Sequence, residues 1–308
     1  MSRRGWLLFL AMGVIWGVPY LFIKIAVEYV SPASLVFLRT ATAALLLVPV
    51  AMARRELGPA LRRWRPLLAY TIAELAVPWF LLNTAEQRLS SSLAGLLLAA
   101  VPLVGALLGW FSKSDRLDWR RALGLLIGIA GVAALVGLDF GRGDIGALLA
   151  MLVVAIGYAV GPFILARHLS EAPALGVVAA SLLITAVLYA VPAGFQLPRQ
   201  WPPARAVLAV AVLAVICTVL AFLLFFKLIE EVGSTRATVI TYINPAVAIG
   251  LGVLFLHEPF TTGIVIGFAL VLLGSALATR RSRPAGARVP PPAVAGAEPL
   301  DEATAAAP

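Results

Sequence analysis

The stretch from Ser91 to Ala133 occurs twice in this chain, and that repetition limits the possible folds more than any other feature. Shifted by 143 residues, it lands on Ser234 to Ala276 without a gap. Pro102 falls on Pro245, Gly109 on Gly252, Gly124 on Gly267 and Gly131 on Gly274, while Asp115 falls on Glu258. The same shift carries Pro19 onto Pro162 and Lys24 onto Arg167, near the start of each copy. Proline and glycine decide where a backbone kinks and where helices approach closely, so shared positions imply a shared backbone path. The chain reads as two copies of one unit of roughly 140 residues.

Composition decides where that unit resides. Of 308 residues, 61% are hydrophobic and 13% charged, with a mean hydropathy of +0.98. Soluble domains carry about 25% charged residues, so this chain belongs in a lipid bilayer. A spanning helix needs about 20 apolar residues. Ten runs qualify, at 6–27, 32–52, 66–86, 90–111, 120–138, 144–166, 173–194, 205–226, 234–256 and 260–279. The first follows Arg3 and Arg4 but is too long for a signal-peptide core, and no small-residue cleavage site follows it. Ser31-Pro32 is expected to open the second helix, Ser90 to Ser92 to cap the fourth, and Ser234-Thr235 to cap the ninth. The lone Cys217 excludes a disulfide within the chain and argues against a cysteine zinc site. No metal or other cofactor is expected.

Lys and Arg set the orientation. With the N-terminus in the cytoplasm, eighteen cations fall in inner segments, among them Arg54, Arg55, Arg62, Arg63, Arg65, Arg120, Arg121 and Arg167. The outer segments hold Arg88, Arg142, Arg199 and Arg205, so both termini are expected inside. The net charge of +9 therefore lies in blocks between apolar runs, which does not suit a nucleic-acid partner. Five helices per copy is an odd number, so the second copy enters the membrane upside down. The predicted fold class is an all-α integral protein of the plasma (inner) membrane, with ten transmembrane helices in two inverted five-helix repeats. The repeats cover 1–139 and 140–280, and 281–308, rich in Pro and Ala, is expected to be a disordered cytoplasmic tail. Inverted repeats are a recurring plan of secondary transporters, with the substrate site near the midplane.

Several motifs carry a family likeness. Trp16-Gly17 stands with Lys24 in the first helix, and Pro32 with Arg39 opens the second. Asn244-Pro245 leads through Glu258-Pro259-Phe260-Thr261 to Gly267 and Gly274. In this pattern the chain resembles the ten-helix, EamA-type branch of the drug/metabolite transporter superfamily, over residues 6 to 279. The first copy departs from the signature, reading Asp115-Arg116-Leu117-Asp118. The resemblance implies transport of small metabolites, commonly export, and leaves the substrate open.

Glu74 is the sharpest candidate for the transport site. Its neighbours Ile72, Ala73, Leu75 and Ala76 are apolar, and an acid at this depth costs a few kcal/mol against lipid. It is expected to face a cavity, where it is a candidate for trading a proton against substrate; the alternative is a carboxyl tied to a neighbouring helix backbone. The matching position of the second copy is Cys217. Trp16, Tyr20 and Lys24 share one face of the first helix and offer aromatic walls, or mere helix packing. Lys24 reads more readily as snorkelling and pairing with Glu28. Tyr242 and Asn244 precede Pro245, whose ring frees the Thr241 carbonyl for repair or for a substrate. Pro19, Pro102, Pro162 and Pro245 are the expected kinks. Arg39, ~10 Å inside the end of its helix, suits either an anionic substrate group or a structural ion pair. In the seventh helix, Ser181, Thr185 and Tyr189 are expected to bond backbone.

The leading reading is a secondary transporter of small polar or amphipathic metabolites such as amino acids or drug-like solutes, with proton coupling through Glu74. A facilitator or exchanger without proton coupling is the alternative, followed by a membrane scaffold. An intramembrane enzyme is disfavoured, because His168 and His257 lie at helix ends and no second midplane acid accompanies Glu74. No nucleotide-binding loop is present, which argues against ATP-driven pumping. The sequence leaves the oligomeric state open.

Overall fold

The computed structural model describes residues 2–111, 118–139, 144–198, 200–233 and 237–279, all of them in helices and their connections. Among the described residues, nine helices are long and apolar enough to cross a membrane. They are α1 (Arg3–Ala26), α2 (Pro32–Ala53), α3 (Trp64–Glu86), α4 (Ser91–Phe111), α5 (Trp119–Gly137), α6 (Ile145–His168), α7 (Ala174–Gln196), α8 (Ala204–Val232) and α9 (Val239–Leu256). A further apolar helix, α10 (Thr262–Ala278), is shorter at 17 residues. It begins later than the sequence predicts because Thr261 caps it, its hydroxyl accepting from the Ile264 N–H at 3.2 Å.

Local chemistry starts other helices where expected. Ser31 accepts from the Ser34 N–H ahead of α2, with Pro32 in the first turn, and Ser90 accepts from the Leu93 N–H ahead of α4. The expected Ser234-Thr235 cap, Asp115 and the 281–308 tail lie outside the described residues. Large apolar side chains such as Leu45, Leu126, Leu149, Val187 and Leu254 stand exposed on the outer faces. A belt of that kind would drive association in water; in a bilayer it is the lipid contact.

The helices pair in a pattern that respects the 143-residue shift. α5 packs on α10, α2 on α7 and α4 on α9, each helix meeting its own counterpart. α3 packs on α6 and α8 on α1, which are counterparts of one another. The α5–α10 seam is the tightest. A Cβ at Gly124 would lie 2.5 Å from the Ala278 nitrogen, and one at Gly274 would lie 2.5 Å from Gly128 Cα and 2.6 Å from the Gly124 carbonyl oxygen. Only glycine lets main chain touch main chain at this spacing.

The expected kinks differ in kind. α1 breaks at 16–18 and resumes as a helix at Pro19. α4 breaks before Val101-Pro102, and the Ala99 carbonyl accepts from Ser275 Oγ of α10 at 3.1 Å. α9 opens as a 3-10 turn, Thr238–Tyr242, before continuing from Asn244-Pro245. α6 runs through Pro162 unbroken. Two π-helical stretches, Ile72–Ala76 in α3 and Val212–Leu220 in α8, have no counterpart in the sequence reading. The shift of 143 places the first inside the second. π turns loosen the backbone ladder and occur often at functional sites.

Candidate functional site

The site grows out of the two π stretches. Glu74 lies within the π turn of α3 and faces α6. A side chain at Gly161 would run into Glu74 Oε2, and one at Gly157 would meet the Ala73 carbonyl oxygen and Pro78. Bare backbone on α6 is thus what leaves room for the carboxyl. Glu74 Oε2 is buried and has no hydrogen-bond partner among the described residues. The Ala76 carbonyl, in the same turn, accepts from the Tyr189 hydroxyl of α7 at 2.9 Å.

On the matching stretch of α8, Thr218 donates to the Leu213 carbonyl at 2.8 Å, a five-residue reach that belongs to a π turn. The same hydroxyl accepts from Arg39 Nε at 2.9 Å. Arg39 is 7% exposed, and its guanidinium carbon sits 3.7 Å from the centroid of the Trp79 ring of α3. A planar cation on an indole face is a strong form of cation–π contact once desolvated. Arg39 has no ion pair among the described residues, and it interacts electrostatically with Cys217, Tyr158, Tyr20 and Glu86. Tyr158 of α6 interacts in turn with Glu74, Arg39 and the Trp79 indole. One cluster therefore collects Tyr20, Arg39, Glu74, Trp79, Tyr158, Cys217 and Thr218 from five helices of both halves.

Of the residues the sequence singles out, Glu74, Tyr20 and Arg39 meet in this cluster. Trp16 packs instead on the aromatic stripe of α8, its ring 4.6 Å from Phe225 and 6.2 Å from Phe222 between centroids. The Tyr242 hydroxyl lies apart, 3.2 Å from Thr279 Oγ1 past the end of α10. Asn244, with its amide nitrogen toward the acceptors, donates to the carbonyls of Gly13 at 3.1 Å and Ile240 at 3.0 Å. It thereby joins the opening of α9 to α1. Lys24 does not pair with Glu28. Its ammonium donates to the main-chain oxygens of Glu86 and Leu89, both at 2.7 Å, while Glu28 pairs with Arg205 at 3.3 Å. The end of α3 offers carbonyls without intrahelical partners, which a nearby cation satisfies. Thr185 bonds the Ser181 carbonyl as expected, and Thr71 of α3 donates to Ser181 Oγ at 2.9 Å.

Trp79, Tyr158 and Glu86 are missed by the sequence reading. Tyr158 lies beside Gly157 and one turn before Pro162, a place where an aromatic with a polar tip was a readable signal.

The EamA-like transporter family matches residues 3–137 and again 143–280. The chain belongs to this family. It is a multi-pass transporter of the plasma membrane. The uncharacterized transporter YvbV of Bacillus subtilis is 26% identical over 288 residues, covering 92% of this chain and 93% of its own. The uncharacterized inner membrane transporter YedA of Escherichia coli K12 is 30% identical, covering 85% and 88%. The S-adenosylmethionine/S-adenosylhomocysteine transporter of Chlamydia trachomatis is 24% identical over 85% of both chains. A solved crystal structure shares the fold, with a TM-score of 0.65 over 91% of this chain and 97% of its own at 23% identity.

Proposed function

We propose that this transporter is a secondary exporter of small metabolites, amino acids among them, working by alternating access between two inverted five-helix halves. In this reading all ten helices span the membrane, both termini are cytoplasmic, and the Lys/Arg asymmetry supports that orientation. Glu74 exchanges a proton against substrate. The observation that carries the proposal is the Glu74 carboxyl at the contact of α3 with α6, one helix from each half, whose Oε2 has no partner among the described residues. Intramembrane acids mark proton and substrate pathways, because an idle one is a pure cost. Arg39, buried without an ion pair among the described residues, supplies a fixed cation for an anionic group of the solute. Tyr20 and Tyr158 offer aromatic faces with polar tips. The name of one relative, a transporter of S-adenosylmethionine, extends the substrate class to metabolites that join an amino-acid group to a larger body.

The experiment is solute flux in proteoliposomes with a panel of amino acids and related metabolites, with and without a pH gradient, for wild type and Glu74→Gln. The expected result is gradient-driven flux of one solute class, lost in the variant. Flux that ignores both the gradient and the substitution would instead establish a facilitator or exchanger.

A further inference from the structure

We propose that Glu86, at the outer end of α3, is a second proton-exchanging carboxyl of the pathway. This inference rests on the transport reading, though not on Glu74 being the coupling residue. Glu86 is fully buried, and neither carboxyl oxygen has a hydrogen-bond partner among the described residues. Asn83 stands one turn earlier on the same face of α3; it is also buried, and its Oδ1 has no partner among the described residues. The amide nitrogen of Asn83 reaches the Pro32 carbonyl at 3.5 Å. A carboxylate and an amide oxygen can only accept, so each leaves the other unsatisfied in a site closed to bulk water. One proton would resolve both, because side chains three residues apart are neighbours on a helix and a protonated Glu86 carboxyl can donate to Asn83 Oδ1.

The charged and titratable neighbours do not fill that role. Lys24 and Tyr20 face Glu86 from α1, Arg39 from α2, Tyr158 from α6 and Glu258 from the α9–α10 connection. Lys24 directs its ammonium to main-chain oxygens of Glu86 and Leu89 rather than to the carboxyl. Glu258 is already satisfied, accepting from the N–H groups of Ser91 at 2.7 Å and Ser92 at 2.9 Å and from the Ser92 hydroxyl. Arg39 is engaged by Thr218 and Trp79. Twelve residues separate Glu74 from Glu86, ~18 Å of helix, and Tyr158 interacts with both acids. The exchange conserves atoms and electrons: when the site opens outward, outer water delivers a proton to the carboxylate, an O–H bond forms, and the same bond breaks when the proton leaves.

Infrared difference spectroscopy of the carboxyl C=O band, on protein in liposomes, tests the assignment without a substrate. At pH about 7 exposed carboxyls, titrating near 4, are silent, so a protonated band reports buried acids. Wild type should show two components, and Glu74→Gln should keep one that vanishes on alkalinisation. Glu86→Gln should lose that component and still fold, since its amide N–H can donate to Asn83 Oδ1. Asn83→Leu should shift the same component by removing its acceptor, which provides a second variant should Glu86→Gln fail to fold. A band abolished entirely by Glu74→Gln, or one untouched by Glu86→Gln, would overturn the proposal. The Glu74 flux test can fail while the Glu86 component survives, so the two ideas fall separately.

Discussion

The π stretches of α3 and α8 use the same backbone device for opposite ends. In α3 the loosened turn presents Glu74, whose Oε2 finds no partner among the described residues, against glycines of α6. In α8 the matching turn presents Cys217 and Thr218, and Thr218 bonds both its own backbone and the guanidinium of Arg39. One site is satisfied and fixed, the other left open. The repeat thus duplicates geometry, while chemistry is placed once. Two symmetric carboxyls at these matching turns would face a cost in repulsion and desolvation, and Cys217 at the position matching Glu74 avoids it.

That contrast can be broken most severely at the satisfied side. Arg39→Ala should abolish transport and destabilise the protein by about 2–5 kcal/mol, as removal of a buried, engaged side chain leaves Trp79 and Thr218 facing a void. Thermal melting and proteoliposome flux would check both. Gly157→Ala comes next: its methyl would meet the Ala73 carbonyl, part of the backbone that carries Glu74, so a loss of about 1–3 kcal/mol is expected. Gly161→Ala should cost less in melting yet more in flux, because its methyl meets the flexible Glu74 carboxyl rather than main chain. Equal melting losses for the two alanines would contradict this account of α6.

A swap sharpens the comparison further. Glu74→Cys combined with Cys217→Glu should not restore gradient-driven flux, since a carboxylate at 217 lies beside Arg39 and pairs with it. Flux restored to the wild-type level would mean that the halves are interchangeable. The smallest effect is expected for Thr218→Val, about 0.5–1.5 kcal/mol in melting from the lost hydroxyl bonds, with Thr218→Ser close to wild type.

Much of this architecture was legible in the residues. Apolar runs mark the spans, and Ser31-Pro32 and Ser90 mark helix starts, because membrane burial and capping are local demands on composition. Glu74 stood out because an acid among Ile72, Ala73, Leu75 and Ala76 violates that local rule. The partner of Lys24 was not legible: Glu28 lies one turn away in sequence, whereas the carbonyls of Glu86 and Leu89 arrive only through packing of α1 on the end of α3. Nor do the residues of Ile72–Ala76 and Val212–Leu220 announce a π turn, since their propensities are those of any apolar helix. Tyr242 and Asn244 sit beside the proline expected to kink α9, yet their hydrogen bonds go to Thr279, Gly13 and Ile240. Which way a helix turns its face is decided by its neighbours.

The glycine seam between α5 and α10 has a mechanical meaning. Where Gly124, Gly128 and Gly274 bring two main chains into contact, no layer of side chains remains to shear or repack. If the halves move as the alternating-access proposal requires, such a seam would act as an axle, as a door turns on its pin. Displacement would grow with distance from that axle, so under that proposal the cluster around Glu74 and Arg39 would travel while α5 and α10 stay still.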